Sequence, residues 1–447
     1  MPNRNIFWLT GSTKSDGQQQ AATEKTPLYH GLTDSESGES WAAGTASSGV
    51  HSSAGVVDTT KIYTTKIDTT KETQPRNTGL RRGQLIKVFL GLILFFVILL
   101  ALFLPRRPKP KTPGPYRLKE YQVGRHFFQH YNFFNGKDPT FGYNTYVDQP
   151  EAQQAHLYNV SVPYGHTKEH VFMTTAPTAQ GPRLSLRLEG KTLFSSGLFI
   201  IDLQHMPEGC GVWPAFWLTN EKHWPHWGEV DIIEGIDNQP MVKTALHTSR
   251  GCTVQDAPAN KWTGVWDVTR EPGQPIFNTT DCWNFAPHQW MNQGCVAVNR
   301  QDGTLGPGLN KQGGGVFAME WAPENGYIRS WAFVPHSNVP QNLKDALKTA
   351  ANNNNNNTVL PDPNQWPLPY AYFPIGKGTT CPSHHFHDMR IVFDTAFCGS
   401  VAGPLFPFSC QSEAMEYGWC ENYVRSNPQA MDKAFWEFRG VYVYQRD

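Results

Sequence analysis

Hydrophobic and polar positions change character three times along the chain. Residues 1–84 are rich in Ser, Thr, Gly, Gln and Lys and poor in large apolar side chains. Such a segment buries too little surface to offset the entropy of ordering, and it reads as a disordered tail. A quasi-repeat beginning at Thr59, Thr64 and Thr69 runs through it, with a period too short for a solenoid. Residues 88–104 carry no charge, and Leu85 and Ile86 extend the apolar run past Lys87. Twenty residues at helical rise cover about 30 Å, the thickness of a bilayer's hydrocarbon core, so 85–104 is expected to be a transmembrane helix. Arg81, Arg82 and Lys87 on one side and Arg106, Arg107 and Lys109 on the other bracket it. Residues 105–115 form a Pro- and Lys-rich stalk. From 116 to 447, Gly, Pro, Asn and Asp separate short apolar segments: Ser185–Glu189, Gly197–Leu203, Val316–Trp321, Tyr327–Phe333, Arg390–Phe397 and Gly440–Tyr444. Helical periodicity is nearly confined to Asn342–Ala350. Many short strands with turn signals predict an all-β sandwich. The run Asn352–Asn357 reads as a low-complexity surface loop.

Composition narrows the picture. The chain has 447 residues, with 38 basic and 38 acidic side chains. Zero net charge argues against a nucleic-acid partner. Fifteen Trp exceed what a core needs and suggest flat, amphipathic contact surfaces. All eight cysteines lie at or after Cys210, which points to disulfides and an oxidising compartment for that half. Their pairing is not readable, but Cys282–Cys295 and Cys410–Cys420 are close enough in sequence to close local loops. The three N-x-S/T sequons, at Asn159, Asn278 and Asn356, fall on the same side. Charges flanking 85–104 alone would weakly place the C-terminal side in the cytosol. Cysteines and sequons oppose that and prevail. The expectation is a single-pass type II membrane protein that meets lipid through 85–104, with 1–84 cytosolic and 116–447 lumenal or extracellular.

One stretch carries chemistry. Residues 227–235, Trp-Gly-Glu-Val-Asp-Ile-Ile-Glu-Gly, set Glu229, Asp231 and Glu234 among residues that otherwise read as a buried strand. A calcium-loop fragment or a solvated strand face would also hold acids. Val230, Ile232 and Ile233 are β-branched, however, and no turn residue interrupts before Gly235. With a side-chain period of two, Glu229 and Asp231 share a face and Glu234 falls on the other. One extra residue at Ile232–Ile233, a β-bulge, would return Glu234 to the face of the other two. Paired carboxylates of this kind suit nucleophilic attack at an anomeric carbon by one and proton transfer to the leaving oxygen by the other, whose pKa its neighbours would raise.

The run resembles the catalytic signature of glycoside hydrolase family 16 in its bulged form, E-x-D-x-x-E. The resemblance extends over nearly all of 116–447 and is closest to fungal laminarinase-type members. Its landmarks are Phe133-Phe134 with Asp138-Pro139-Thr140, Gly211 to Trp217, Leu246-His247-Thr248, Met319-Glu320-Trp321, Ile328 to Trp331, and Trp436 with Val441 to Tyr444. It implies a concanavalin-like β-jelly-roll, with Glu229 as nucleophile, Asp231 as electrostatic helper and Glu234 as acid/base. Trp217 and Trp224 look like sugar-stacking walls, with Trp213 and His247 as further substrate-binding candidates. The implied activity is retaining endo-hydrolysis of β-1,3- or mixed β-1,3/1,4-glucan, without a cofactor. Glucan transglycosylation and a silent glucan-binding module are the alternatives. His384, His385 and His387 lack a partner pattern for a metal site. One departure stands out: where laminarinase-type members carry C-G-D-W-A-G, this chain has Val401 in place of the Trp.

Overall fold

The computed structural model describes residues 82–103, 113–270, 274–350 and 359–446. The tail 1–81, the stalk up to 112, and the sequon and Asn run within 351–358 lie outside them. The chain divides into two units; the larger holds every described residue from 113 onward, and the other contains the helix Arg82–Phe103. Its described side chains include Phe89, Leu90, Leu92, Leu94, Phe95 and Phe96, all exposed. Among the described residues no helix is long and apolar enough to cross a membrane.

Two eight-stranded antiparallel sheets form the larger unit. One runs Ala371–Pro374, Tyr327–Phe333, Gly315–Ala322, Gly197–His205, Trp436–Gln445, His170–Met173, Tyr158–Ser161, with Arg117–Val123 also paired to Trp436–Gln445. The other runs Val265–Trp266, Cys295–Val298, Lys243–His247, Glu229–Glu234, Val212–Thr219, Arg390–Phe397, Arg187–Gly190, Tyr131–Phe133. Alternation explains the layering. Phe216, Leu218, Val230, Leu246 and Phe393 of the second sheet pack in one core with Phe199, Ile201, Phe317, Met319 and Val443 of the first. Burying five such side chains stabilises the sandwich by roughly 1.5–3 kcal/mol each. The alternate residues Trp213, Ala215 and Trp217 therefore face away from the core.

Sequence expectations and strands coincide closely at Tyr327–Phe333 and Arg390–Phe397, and the helix at Gln341–Ala350. That helix buries Leu343 and Leu347 with Leu198, Ile200 and Trp366 in a second core. Three points differ. Ser185–Glu189 is not one strand: Arg183–Ser185 pairs in a small side sheet and Arg187–Gly190 in the main one. Three helices, Gly399–Ser409, Gln411–Tyr417 and Cys420–Ser426, fill a stretch where no helical periodicity is legible. Pro404 and Pro407 lie inside the first and read in sequence as breakers. Of the two local disulfides only Cys282–Cys295 forms. Cys410 bonds Cys210 and Cys420 bonds Cys398, because the helices fold back on the ends of two paired strands, where Val212 meets Phe397. Cys252–Cys381 is the fourth disulfide.

The bulge falls where sequence places it. Glu229, Asp231 and Glu234 sit opposite Thr219, Trp217 and Ala215, and Ile232 has no partner in that ladder. On the other side Asp231 and Glu234 sit opposite Ala245 and Lys243. Three steps on the acidic strand thus oppose two on each neighbour. Residues 215, 217 and 219 share a face, so the three acids do as well, while Ile232 and Ile233 are both buried in the core.

Two length changes test this. Deleting Ile232 should restore a regular strand, keep all three acids on the outer face and retain activity, at a stability cost of about 2–5 kcal/mol for the lost side chain. Inserting one apolar residue there puts six steps between Glu229 and Glu234, which keeps Glu234 on the outer face but carries it beyond its place opposite Ala215, away from Asp231 and Trp213, and should abolish activity. Equal activity of both variants, measured beside thermal unfolding, would contradict the register.

Candidate active site

Each acid meets a partner supplied by a neighbouring strand or loop. Trp213 Nε1 donates to Glu234 Oε1 at 2.8 Å. Trp224, in the loop before the acidic strand, donates from Nε1 to Glu229 Oε2 at 3.0 Å. His247 lies opposite Glu229 in the register, and its Nε2 is 3.2 Å from Asp231 Oδ2 and 3.8 Å from Glu229 Oε1. The substrate-binding candidates therefore do not sit alike. Trp224 is 41% exposed while holding Glu229, so its ring is free for contact. Trp217 is half-buried, with the Arg187 guanidinium 5.1 Å from its ring centre. Trp213 is half-buried against the turn at Gly399, where φ is +68° and a Cβ would come within 3.2 Å of the indole. That turn needs glycine for conformation and for space. Val401, in the helix that follows, is partly exposed.

Cross-strand register shows what sequence reasoning missed. Lys243, Glu234, Ala215, Asp394 and Arg187 form one row across five strands. Asp394 and Arg187 are both buried, 3.7 Å apart, and Arg187 Nε also donates to Glu189 Oε1 at 3.0 Å. Lys243 Nζ lies 2.7 Å from Asp267 Oδ2. A signal was present: a lone Asp in Arg390–Phe397 and a lone Arg in Ser185–Glu189 each interrupt an apolar strand. A buried charge demands a partner, but the partner lies on a strand distant in sequence.

The electrostatics follow from crowding carboxylates in a place with little water. Burial, then the Asp231 carboxylate, push Glu229 up to about 8, with His247 and the Trp224 N–H pulling the other way. Asp231 is raised by burial and by the charges of Glu234 and Asp394. Burial raises Asp394 to about 7 against the pull of Arg187. The acids must therefore share protons. A proton held on Asp231 removes the like charge beside Glu229, and His247 and Trp224 then favour the Glu229 carboxylate. That arrangement can keep one carboxylate ready to attack and a second carboxyl within the same face for proton transfer.

A family model described as "XgeA-like, catalytic GH16 domain" matches residues 131–444. The chain belongs to glycoside hydrolase family 16. A probable endo-1,3(4)-β-glucanase of Aspergillus fumigatus is 35% identical over 336 residues, covering 74% of this chain and 45% of that protein. A probable glycosidase of Schizosaccharomyces pombe is 33% identical over 344 residues, covering 76% of this chain and 71% of that protein. The chain spans about half the length of the Aspergillus relative. Among solved structures, the fold is similar to laminarinase 16A from Phanerochaete chrysosporium, bound to β-glucans, with a TM-score of 0.60 and 29% identity. It covers 74% of this chain and all of that one. An elongating family 16 β-1,3-glucosyltransferase has a TM-score of 0.57 at 29% identity, over 74% of this chain and 100% of its own.

Two clusters of His, Cys, Asp and Glu among the described residues bring ligand atoms close enough for a metal. One contains Cys210 and Cys410, whose sulfurs are joined to each other. The other is Glu229, Asp231 and His247, the candidate site itself. Of the three histidines near 385, His384 stacks on His385, whose Nδ1 lies 3.3 Å from Ser249 Oγ, and the His387 ring lies 4.2 Å from that of Trp227.

His247 supplies the pH test. Replacing it by Ala removes a neighbour that favours ionised Glu229, so the carboxyl pKa rises further. The acid limb of kcat/KM, which reports the free enzyme, should move to higher pH. Asp231→Asn keeps that neighbour uncharged at every pH, removing the repulsion that ionised Asp231 exerts on Glu229, and should move the limb lower. Limbs that stay in place in both variants would contradict the coupling.

Proposed function

We propose that the family 16 domain catalyses retaining endo-hydrolysis of β-1,3- or mixed β-1,3/1,4-glucan. The observation that carries the reading is the bulge at Ile232, which gathers Glu229, Asp231 and Glu234 on the outer face beside His247, Trp213 and Trp224. Glu229 attacks the anomeric carbon and forms a glycosyl-enzyme bond while Glu234 protonates the departing oxygen. Glu234 then takes a proton from water, which displaces Glu229 and releases the sugar. Asp231 tunes both carboxyls through the proton it holds. Names of the relatives and the laminarinase likeness support the substrate class. The likeness to an elongating β-1,3-glucosyltransferase supports a second reading, in which a sugar hydroxyl rather than water captures the same intermediate.

Glu229→Gln should lower kcat by on the order of 10⁴ while leaving binding largely intact, since shape and hydrogen-bonding capacity survive. Glu234→Gln should be comparably damaging on laminarin, yet recover on substrates whose leaving group needs no proton. Product analysis on laminarin, lichenan and a β-1,6-glucan distinguishes shortened from elongated chains. Full activity of Glu229→Gln on every glucan would overturn the assignment.

The same reading includes a membrane anchor over 85–104, with the catalytic domain on the lumenal or extracellular side. Its support is the uncharged run 88–104, the exposed apolar side chains of the helix, and the cysteines and sequons confined to one side. Asn159 and Asn278 are exposed, as glycosylation requires. Endoglycosidase treatment should shift the protein's mobility, and replacing Asn159, Asn278 and Asn356 together should abolish the shift. An unglycosylated protein whose N-terminal tail alone is cut from outside intact cells would reverse the orientation.

A further inference from the structure

The disulfide-closed loop 282–295 stands directly beside His247. Its backbone joins the strand end that carries His247: Thr248 N donates to Cys282 O at 2.8 Å, and Asn284 N donates to Thr248 O at 3.3 Å. At the loop's other end, Gly294 has φ of +66°, and a Cβ there would lie 2.4 Å from Leu246 O and 2.9 Å from His247 Nδ1. No side chain fits between the loop and that ring.

The loop is held firmly. Gln289 Nε2 donates to Asp281 O at 2.8 Å and to Gly294 O at 2.7 Å, while its Oε1 accepts from Asp281 N at 3.0 Å. Gln293 Oε1 accepts from Thr269 Oγ1 at 2.6 Å and from Trp290 N at 3.0 Å. With the Cys282–Cys295 bond, these contacts fix the backbone without using the loop's large side chains. Phe285, Trp290 and Met291 are 60%, 43% and 75% exposed, whereas Trp321 and Trp436 are buried. Phe285 stands edge-on to Trp283, and the Arg250 guanidinium lies 5.4 Å from the Trp283 ring centre.

Residues 283–294 contain no Asp, Glu, Lys or Arg. A rigid, neutral surface of aromatic rings and amides suits a neutral polyhydroxyl chain: ring faces meet sugar C–H bonds, and Asn and Gln meet hydroxyls. Preorganisation removes the ordering cost of binding. Continuity with His247, on the face that carries the three acids, favours as occupant a substrate chain that runs on from those acids.

We propose that Phe285 and Trp290 form an additional glucan-binding site that extends the acid-bearing face past His247 and makes the enzyme favour long chains. This rests on the glucan reading above. The test uses the full-length protein, with kcat/KM measured on laminari-oligosaccharides of increasing length and on laminarin. Phe285→Ala/Trp290→Ala should lose on the order of tenfold on long chains through KM, the scale of an aromatic contact removed, and nothing on the shortest cleavable one. Trp290→Tyr should recover most of the loss, which a structural role of the loop would not predict. Equal losses at every length, or no loss at any, would overturn the proposal and, in the latter case, assign the face to a protein partner. Wild-type protein inactive on all glucans would instead sink the underlying glucan reading, and the loop proposal with it.

Discussion

Burying several carboxylates together is the constraint around which this domain is built. Glu229, Asp231, Glu234 and Asp394 occupy one face of a sheet whose opposite face is core, and burial raises three of them. Such a cluster survives only if each acid finds a donor, a cation or a proton. Trp213 and Trp224 supply N–H groups, Arg187 faces Asp394, and His247 sits between Asp231 and Glu229. Every one of these comes from a different strand or loop, so the sandwich must be complete before the site is tolerable.

The single unpaired residue at Ile232 reconciles this with the core. Without the bulge, an acid five positions after Glu229 would point inward among Phe216 and Phe393. With it, Ile232 and Ile233 both enter the core and Glu234 stays outside. Strands are cooperative objects whose register flips every side chain, and a bulge is the local means of changing that parity once.

Much of this was legible because it is local. Short apolar runs between turn residues marked Tyr327–Phe333 and Arg390–Phe397, and the order of acids and β-branched residues located the bulge. What stayed hidden is non-local. Asp394 and Arg187 become meaningful only when five strands are laid side by side. Cys410 and Cys420, ten positions apart, pair with cysteines 200 and 22 residues away, because the helices between them fold onto strand ends. Those helices carry two prolines and no periodic stripe, since disulfides and the sheet end hold them in place of an amphipathic face. The Trp candidates were found by type, but which of them hold acids and which lie against Arg187 required coordinates.

The proposed double displacement needs a nucleophile and an acid/base on one face, close enough to exclude a water between them. The anomeric form of the first product reports this most directly. An NMR time course on a β-glucan substrate should show the β-anomer appearing first and the α-anomer only by later mutarotation, as double displacement requires. The α-anomer appearing first would mean an inverting geometry and would contradict the account.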